Sequence, residues 1–226
     1  MQIGARLYSV WPHIDGRSAA DGKYLSDDDR RAVLSALVDL HAMDTTRFKV
    51  DEELFQPDNR RFLERVIDEP GDGWDRGPYG ERARALLDQC APGVSRLLAH
   101  YDDLVTKAPR RDAWILTHGE PHMANVVVTA EGPVLIDWDT VAIAPRERDL
   151  SMVVTPDAHV SIAYSERAGH EPNQNMLKLY WAQWELTEIG VFLNHFHNPH
   201  GDDPDDVVGW KVLSGYLPIE PRWPEL

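Results

Sequence analysis

The sequence predicts a mainly helical α+β fold built around one short β-hairpin. Three features carry this reading. Apolar residues recur at helical spacing towards both ends of the chain. Between them lies a compact run of short β-branched segments. Gly- and Pro-rich stretches punctuate the change from one pattern to the other. The length of 226 residues suits one ordinary domain, and 42% hydrophobic residues supply a core. No internal repeat and no dividing linker is visible, so the expected organisation is a single domain over residues 1–226. Residues 1–16 form its opening strand and 17–226 its helical body.

The elements follow in order. Ala5 to Val10 read as a strand, closed by Pro12 and by Asp15-Gly16. Ser26 caps a first helix, with Asp29 three residues on as an acidic version of the capping box, and Val33, Leu37 and Leu40 supply its apolar face. A weaker helix covers Asn59 to Ile67. Pro70 to Gly80 is a loop. It has many glycines but follows a helical segment and lacks the Lys-Ser/Thr ending of a phosphate loop. Helical pattern resumes from Glu81 to Val105, with an expected interruption at Pro92-Gly93. Trp114 to Thr117 is a buried strand. Val126–Thr129 and Pro133–Ile136 flank Ala130-Glu131-Gly132 as a hairpin. The longest helix is expected over Asn175 to His197, with Leu177, Trp181, Trp184, Phe192 and Phe196 inward. A short helix near Asp205 to Ser214 precedes a Pro-rich tail.

Composition narrows the function. Lys and Arg number 23 and Asp and Glu 38, a net charge of −15. That balance disfavours nucleic acid and anionic membrane surfaces, which need clustered basic residues. It suits a cationic or metal-bound partner. Cys90 stands alone, which excludes an internal disulfide and a four-cysteine zinc site. No apolar run approaches the roughly 20 residues of a membrane span. Residues 1–16 lack the basic-then-apolar order of a signal peptide, so a soluble cytoplasmic protein is expected.

The chemistry lies in Leu116 to Leu150. A strand ends at His118, a loop presents Glu120, His122 and Asn125, and the next strand ends in Asp137-Trp138-Asp139. Carboxylate and amide oxygens are hard ligands suited to Mg²⁺, which takes one or two protein carboxylates plus substrate phosphates. A carboxylate before the Asn is placed to orient a hydroxyl and accept its proton. His118 and His122 flank Pro121 in a loop, which does not assure the helical pairing of a zinc hydrolase.

The ordered set His118-Gly119-Glu120, Asn125 and Ile136-Asp137-Trp138 resembles the core of the aminoglycoside phosphotransferases, whose pattern is His-Gly-Asp, four residues, Asn, then Ile-Asp-Trp/Phe. Asp149-Leu150 downstream is similar to that family's Asp-Leu pair. Leu7 to Gly16 resembles its hinge strand, and Leu40-His41 fits the end of its first long helix. The stretches Gly77–Leu87 and Trp181–Ile189 look closest to the spectinomycin-type members. The resemblance implies the large, C-terminal lobe of a protein-kinase-like fold, with the hairpin at the active site. It also implies ATP as phosphate donor with Mg²⁺ held by Asn125 and Asp137. Glu120 is then the base, and Ser9, Val10 and Trp11 touch the adenine edge. The acceptor is a small cationic hydroxyl compound, an aminoglycoside or aminocyclitol; choline, homoserine and sugar acceptors share this core.

Two departures stand out. Glu120 replaces the family's Asp, one methylene longer, and no Gly-rich hairpin or strand Lys precedes the hinge-like segment. The resemblance therefore covers the large lobe and hinge only, and a truncated, catalytically silent ligand- or partner-binding member is the alternative. Other residues keep two readings. His118 fixes the loop or transfers protons. Asp149 braces the loop or begins a helix. Asp139 is a second metal ligand or an exposed charge. Glu185 and Glu188 share a helix face, as a solvated surface or as an acidic wall for a cationic substrate, and Trp181 is core or substrate platform.

Overall fold

A computed structural model describes residues 2–3, 6–7, 12–18, 26–69, 71–153, 159–224 and 226. In chain order the elements are β1 (Gln2–Ile3), β2 (Arg6–Leu7), β3 (Arg17–Ser18), α1 (Asp27–His41), β4 (Asp51–Glu52), α2 (Arg60–Asp68), α3 (Gly80–Val105), β5 (Ile115–Thr117), β6 (Val126–Thr129), β7 (Gly132–Leu135), β8 (Ala142–Ala144), α4 (Glu147–Val153), α5 (His159–Ala168), α6 (Gln174–His197) and α7 (Pro204–Tyr216). They form two compact units. One takes Met1–Asp51 and Ile115–Glu171, the other Glu52–Trp114 and Pro172–Leu226.

The first unit carries the candidate site. Its α1 begins where the Ser26 hydroxyl accepts the Asp29 N–H at 3.1 Å, satisfying one of the donors that a helix start leaves open. Val33, Leu34, Leu37 and Leu40 recur every three or four residues and are all buried. Each such side chain contributes about 1.5–3 kcal/mol when removed from water. This face packs on α4, α5, β5 and β7. The hairpin β6–β7 is antiparallel, with Val126 opposite Leu135 and Thr129 opposite Gly132. Its outer neighbour β3 pairs Ser18 with Val127, a strand that the sequence pattern does not announce because it is only two residues long. Next to the site, β5 pairs antiparallel with β8, Leu116 opposite Ile143. The described part of the opening strand, Arg6–Leu7, pairs with Gln2–Ile3.

The second unit is a helical core in which α3 lies along α6, with α2 and α7 beside them. Leu87, Leu97, Tyr101, Leu186, Ile189 and Phe196 are fully buried within it. The start of α7 is closed by a reciprocal cap in which Asp203 accepts from the Asp206 backbone and Asp206 answers to the Asp203 backbone.

Two expectations change here. Helix α3 runs unbroken through Pro92 and, at 26 residues, is longer than α6 at 24. Buried Leu87, Val94 and Leu97 on both sides of Pro92 hold the helix on course. Gly93 lets the chain lie close to Ile219 and Glu220. In α6 Met176, Leu177, Leu179, Ala182, Leu186, Ile189, Leu193 and Phe196 are fully buried, while Trp181, Trp184 and Phe192 are half-buried, Trp181 and Phe192 against the same core.

Candidate active site

The site grows from the end of β5. Gly119 adopts φ +102°, and a Cβ there would run into the Arg148 guanidinium and the Thr140 hydroxyl. Glycine is required on both counts. The turn it makes points the His118 and Gly119 N–H groups at Asp149, which accepts them at 2.9 and 2.6 Å. Asp149 is fully buried, and its third partner is His41 Nε2 at 3.0 Å. His41 Nδ1 in turn lies 2.7 Å from the Tyr164 hydroxyl. A buried carboxylate is tolerated only with such a set of donors. Here the donors come from α1 and the loop itself, and α5 supplies the Tyr164 partner of His41.

His118 is the second anchor. Its Nδ1 accepts the Glu120 N–H at 3.3 Å and its Nε2–H donates to the Ile136 carbonyl at 2.9 Å. Both nitrogens are used, which fixes the neutral tautomer. Burial pushes the imidazole pKa below its usual range, outweighing the opposing pull of Asp149. The Trp138 ring lies against it, with centroids 4.4 Å apart. His118 therefore acts in this geometry as a fixed strut between two loops.

The carboxylate and amide positions meet around that strut. Asn125 is buried in the single turn after the loop, and its Nδ2 donates to the Glu120 carbonyl at 3.0 Å. Its own carbonyl accepts the Ile136 N–H at 3.0 Å, which brings Asp137 next to it along the chain. Asp137 adopts φ +64°, a left-handed conformation that Asp tolerates better than most residues, and its side chain is exposed. The neighbouring Asp139 carboxylate raises the proton affinity of Asp137 through a shared hydrogen bond and like charge. Glu120 is half-exposed, with His122 Nε2 at 3.8 Å, too long for a hydrogen bond. The loop carrying Asp137 turns back through Val141 N–H to the Trp138 carbonyl, and the Thr140 hydroxyl donates to the His118 carbonyl at 3.0 Å.

The other sequence-derived residues lie elsewhere. Ser9, Val10 and Trp11 fall outside the described residues. Glu185 belongs to the second unit. Arg222 grips both of its oxygens at 3.0 Å, and the Trp223 indole N–H donates to it at 3.0 Å. It is buried there and paired with Arg222. Glu188 and Trp181 are half-buried on the same helix. Nothing in the sequence marks Tyr164 or Thr140 as part of the site. Leu40-His41 is visible as a family-like helix end, but the partners of His41 lie 108 and 123 residues away.

Among the described residues, no group of three or more His, Cys, Asp or Glu is arranged to hold a metal ion. No helix among them is long and apolar enough to cross a membrane.

The sequence model of the Phosphotransferase enzyme family matches residues 2–185. The chain belongs to that family. Protein StrN of Streptomyces griseus is 32% identical over 157 residues, which are 67% of this chain and 45% of StrN. The chain thus spans less than half the length of that relative. The spectinomycin phosphotransferase APH(9)-Ia, solved with ADP and spectinomycin, superposes with a TM-score of 0.75 at 18% identity, covering 95% of this chain and 70% of that one. The ethanolamine kinase of Plasmodium vivax does so with a TM-score of 0.54 at 12% identity, covering 90% and 63%. At these identities the structural likeness establishes the fold, the mainly helical α+β arrangement of kinase-like phosphotransferases. In this chain His118, Asp149 and the turn at Asp137 hold the loops that carry Glu120, Asn125 and Asp137.

Proposed function

We propose that the protein transfers the γ-phosphoryl group of ATP to a hydroxyl of a small cationic compound, an aminoglycoside or aminocyclitol. The observation that supports this is the set of hydrogen bonds by which His118 and Asn125 tie the loop of Glu120 to the residue before Asp137, in a member of a phosphotransferase family. Glu120 orients the acceptor hydroxyl and takes its proton as the oxygen bonds to the γ-phosphorus and the bond to ADP breaks. The residues fit Mg²⁺. Asn125 spends its Nδ2 on Glu120, leaving its amide oxygen without a hydrogen bond among the described residues, and Asp137 and Asp139 crowd two exposed carboxylates together. Asn125 and Asp137 would hold the ion, with Asp139 beside them, and the bound ion would neutralise charge on the phosphates. Ser9, Val10 and Trp11 are proposed, on the family pattern, to meet the adenine edge. We assign the protein to the cytoplasm on the same basis.

A second reading, a binding member without turnover, is favoured by one feature. Glu120 is a methylene longer than the family's Asp, and a displacement of about 1 Å can lower a rate about a hundredfold.

The test is transfer of radiolabelled phosphate from ATP to a panel of aminoglycosides, spectinomycin, choline and sugars, with nucleotide affinity measured in parallel. Transfer to a cationic acceptor that is lost in Glu120→Gln and Asp137→Asn is expected. Mg²⁺-dependent ATP binding with no transfer to any acceptor would favour the silent reading. ATP affinity that ignores both Mg²⁺ and Asp137→Asn would remove Asp137 from the site.

A further inference from the structure

We propose that Thr140 is a positioning residue that locks the loop carrying Asp137 to the loop carrying Glu120. Its catalytic consequence rests on the phosphotransfer reading above; the coupling itself is a property of the two loops.

The two reactive loops come from opposite sides of the hairpin, residues 118–125 before it and 136–141 after it. Beside the bond from the Ile136 N–H to the Asn125 carbonyl, His118 joins them at two places. Its backbone N–H is held by buried Asp149, so the residue is fixed to the body of the unit. Its ring reaches Ile136, just before Asp137, and its carbonyl receives Thr140, three residues after Asp137. Asp137 is thereby bracketed on both sides by bonds to one anchored residue. The bracket adds to the turn's own contacts, in which the Trp138 indole N–H donates to the Leu135 carbonyl at 2.9 Å and its ring lies against His118. Asp137 sits in a left-handed conformation, and within the turn a backbone hydrogen bond of 3.2 Å runs from Val141 N–H to Trp138.

Gly119 shows that the close approach is built in. The Thr140 hydroxyl oxygen lies 2.6 Å and the Arg148 guanidinium 2.4 Å from where a Gly119 Cβ would stand, so a larger residue there would have to displace both side chains. Threonine suits this position, since its β-branch limits χ1 and its single hydroxyl proton suffices for the bond.

The experiment uses the full chain with Thr140→Val, which keeps the shape and removes the hydroxyl, and Thr140→Ser, which keeps the hydroxyl. Amide hydrogen exchange is read at Gly119 and Val141, whose N–H groups are hydrogen-bonded in the two loops, and across the β5–β8 ladder as a control. In Thr140→Val the two loop amides should exchange at least about tenfold faster while the ladder is unchanged. Thr140→Ser should lie close to the parent. In the same variants kcat should fall about tenfold with Val, with the KM for acceptor nearly constant, and recover with Ser.

Unchanged exchange at both loop amides overturns the coupling. Equal acceleration in the ladder makes Thr140 a stability residue and overturns it as well. Loosened loops with an unaltered kcat overturn the catalytic consequence. If the parent phosphorylates no acceptor, the phosphotransfer reading falls instead, and the exchange measurement alone decides whether the loops are coupled.

Discussion

Asp149 makes a sharp demand on residue chemistry. Its carboxylate accepts from two backbone N–H groups and from His41 with no exposure to water. Asp149→Asn keeps the size but turns an NH₂ group towards one of those donors. Leaving a buried donor without its acceptor costs about 1–3 kcal/mol. We expect a loss of that order in urea unfolding, with phosphate transfer falling further than stability does. An unchanged unfolding midpoint would remove Asp149 as the brace of the loop. His118 makes a pH-dependent contribution. Burial lowers its folded-state pKa, so the unfolded chain takes up a proton first as the medium acidifies. Its stabilising effect is complete above pH of about 6.5 and is lost as pH falls from there towards the lowered folded value. Unfolding free energies of the parent and of His118→Gln, measured between pH 7.5 and 5, should therefore differ in slope, the parent's being steeper; parallel curves would sink the assignment. The site is legible in the sequence to different degrees for physical reasons. Glu120, Asn125 and Asp137 can be grouped from the sequence because a short hairpin lies between them. The His41–Asp149–Tyr164 contacts cannot, because they join α1, α4 and α5 through folding alone.

At the level of elements, hydrophobic period and capping chemistry place α1, the hairpin and α7 within a few residues, since each is specified by its own sequence. Helix α3 departs from its sequence pattern because Pro92 breaks helices in isolation, whereas here tertiary burial on both sides overrides it. That override leaves a measurable trace. Pro92 is exposed and supplies no N–H to the carbonyl four residues back, at Asp88. Ala is about 3 kcal/mol better than Pro inside a helix, offset by about 0.4–1 kcal/mol because Pro restricts the unfolded chain. Pro92→Ala should raise stability by about 2 kcal/mol, seen as a higher urea midpoint at constant slope. A lower midpoint would mean that α3 is fitted to a proline at this position. The strand Arg17–Ser18 lies beyond sequence reading for the opposite reason, since two residues show no period.

For the whole molecule, the period of a helix says which face is apolar but not which other helix covers it. The two units each draw on separate stretches of sequence, so no linker marks them. Net charge, by contrast, is a property of the whole chain that sequence gives directly. At −15 the protein should draw cations towards it, and in the first unit Glu120, Asp137 and Asp139 place carboxylates at the accessible end of the hairpin. Such attraction acts over about 10 Å at 0.1 M salt and only about 3 Å at 1 M. A cationic acceptor such as spectinomycin should therefore bind about tenfold more weakly at the higher salt, a difference of about 1.4 kcal/mol. A neutral sugar alcohol should show no such loss, because it has no charge to screen. Asp139→Asn, which removes one carboxylate beside Asp137, should flatten the salt dependence for the cation. Calorimetric titration of both compounds at the two salt concentrations decides the matter. Tighter binding of the neutral compound, or cation binding indifferent to salt, would show that charge does not select the acceptor and that shape and hydrogen bonding do.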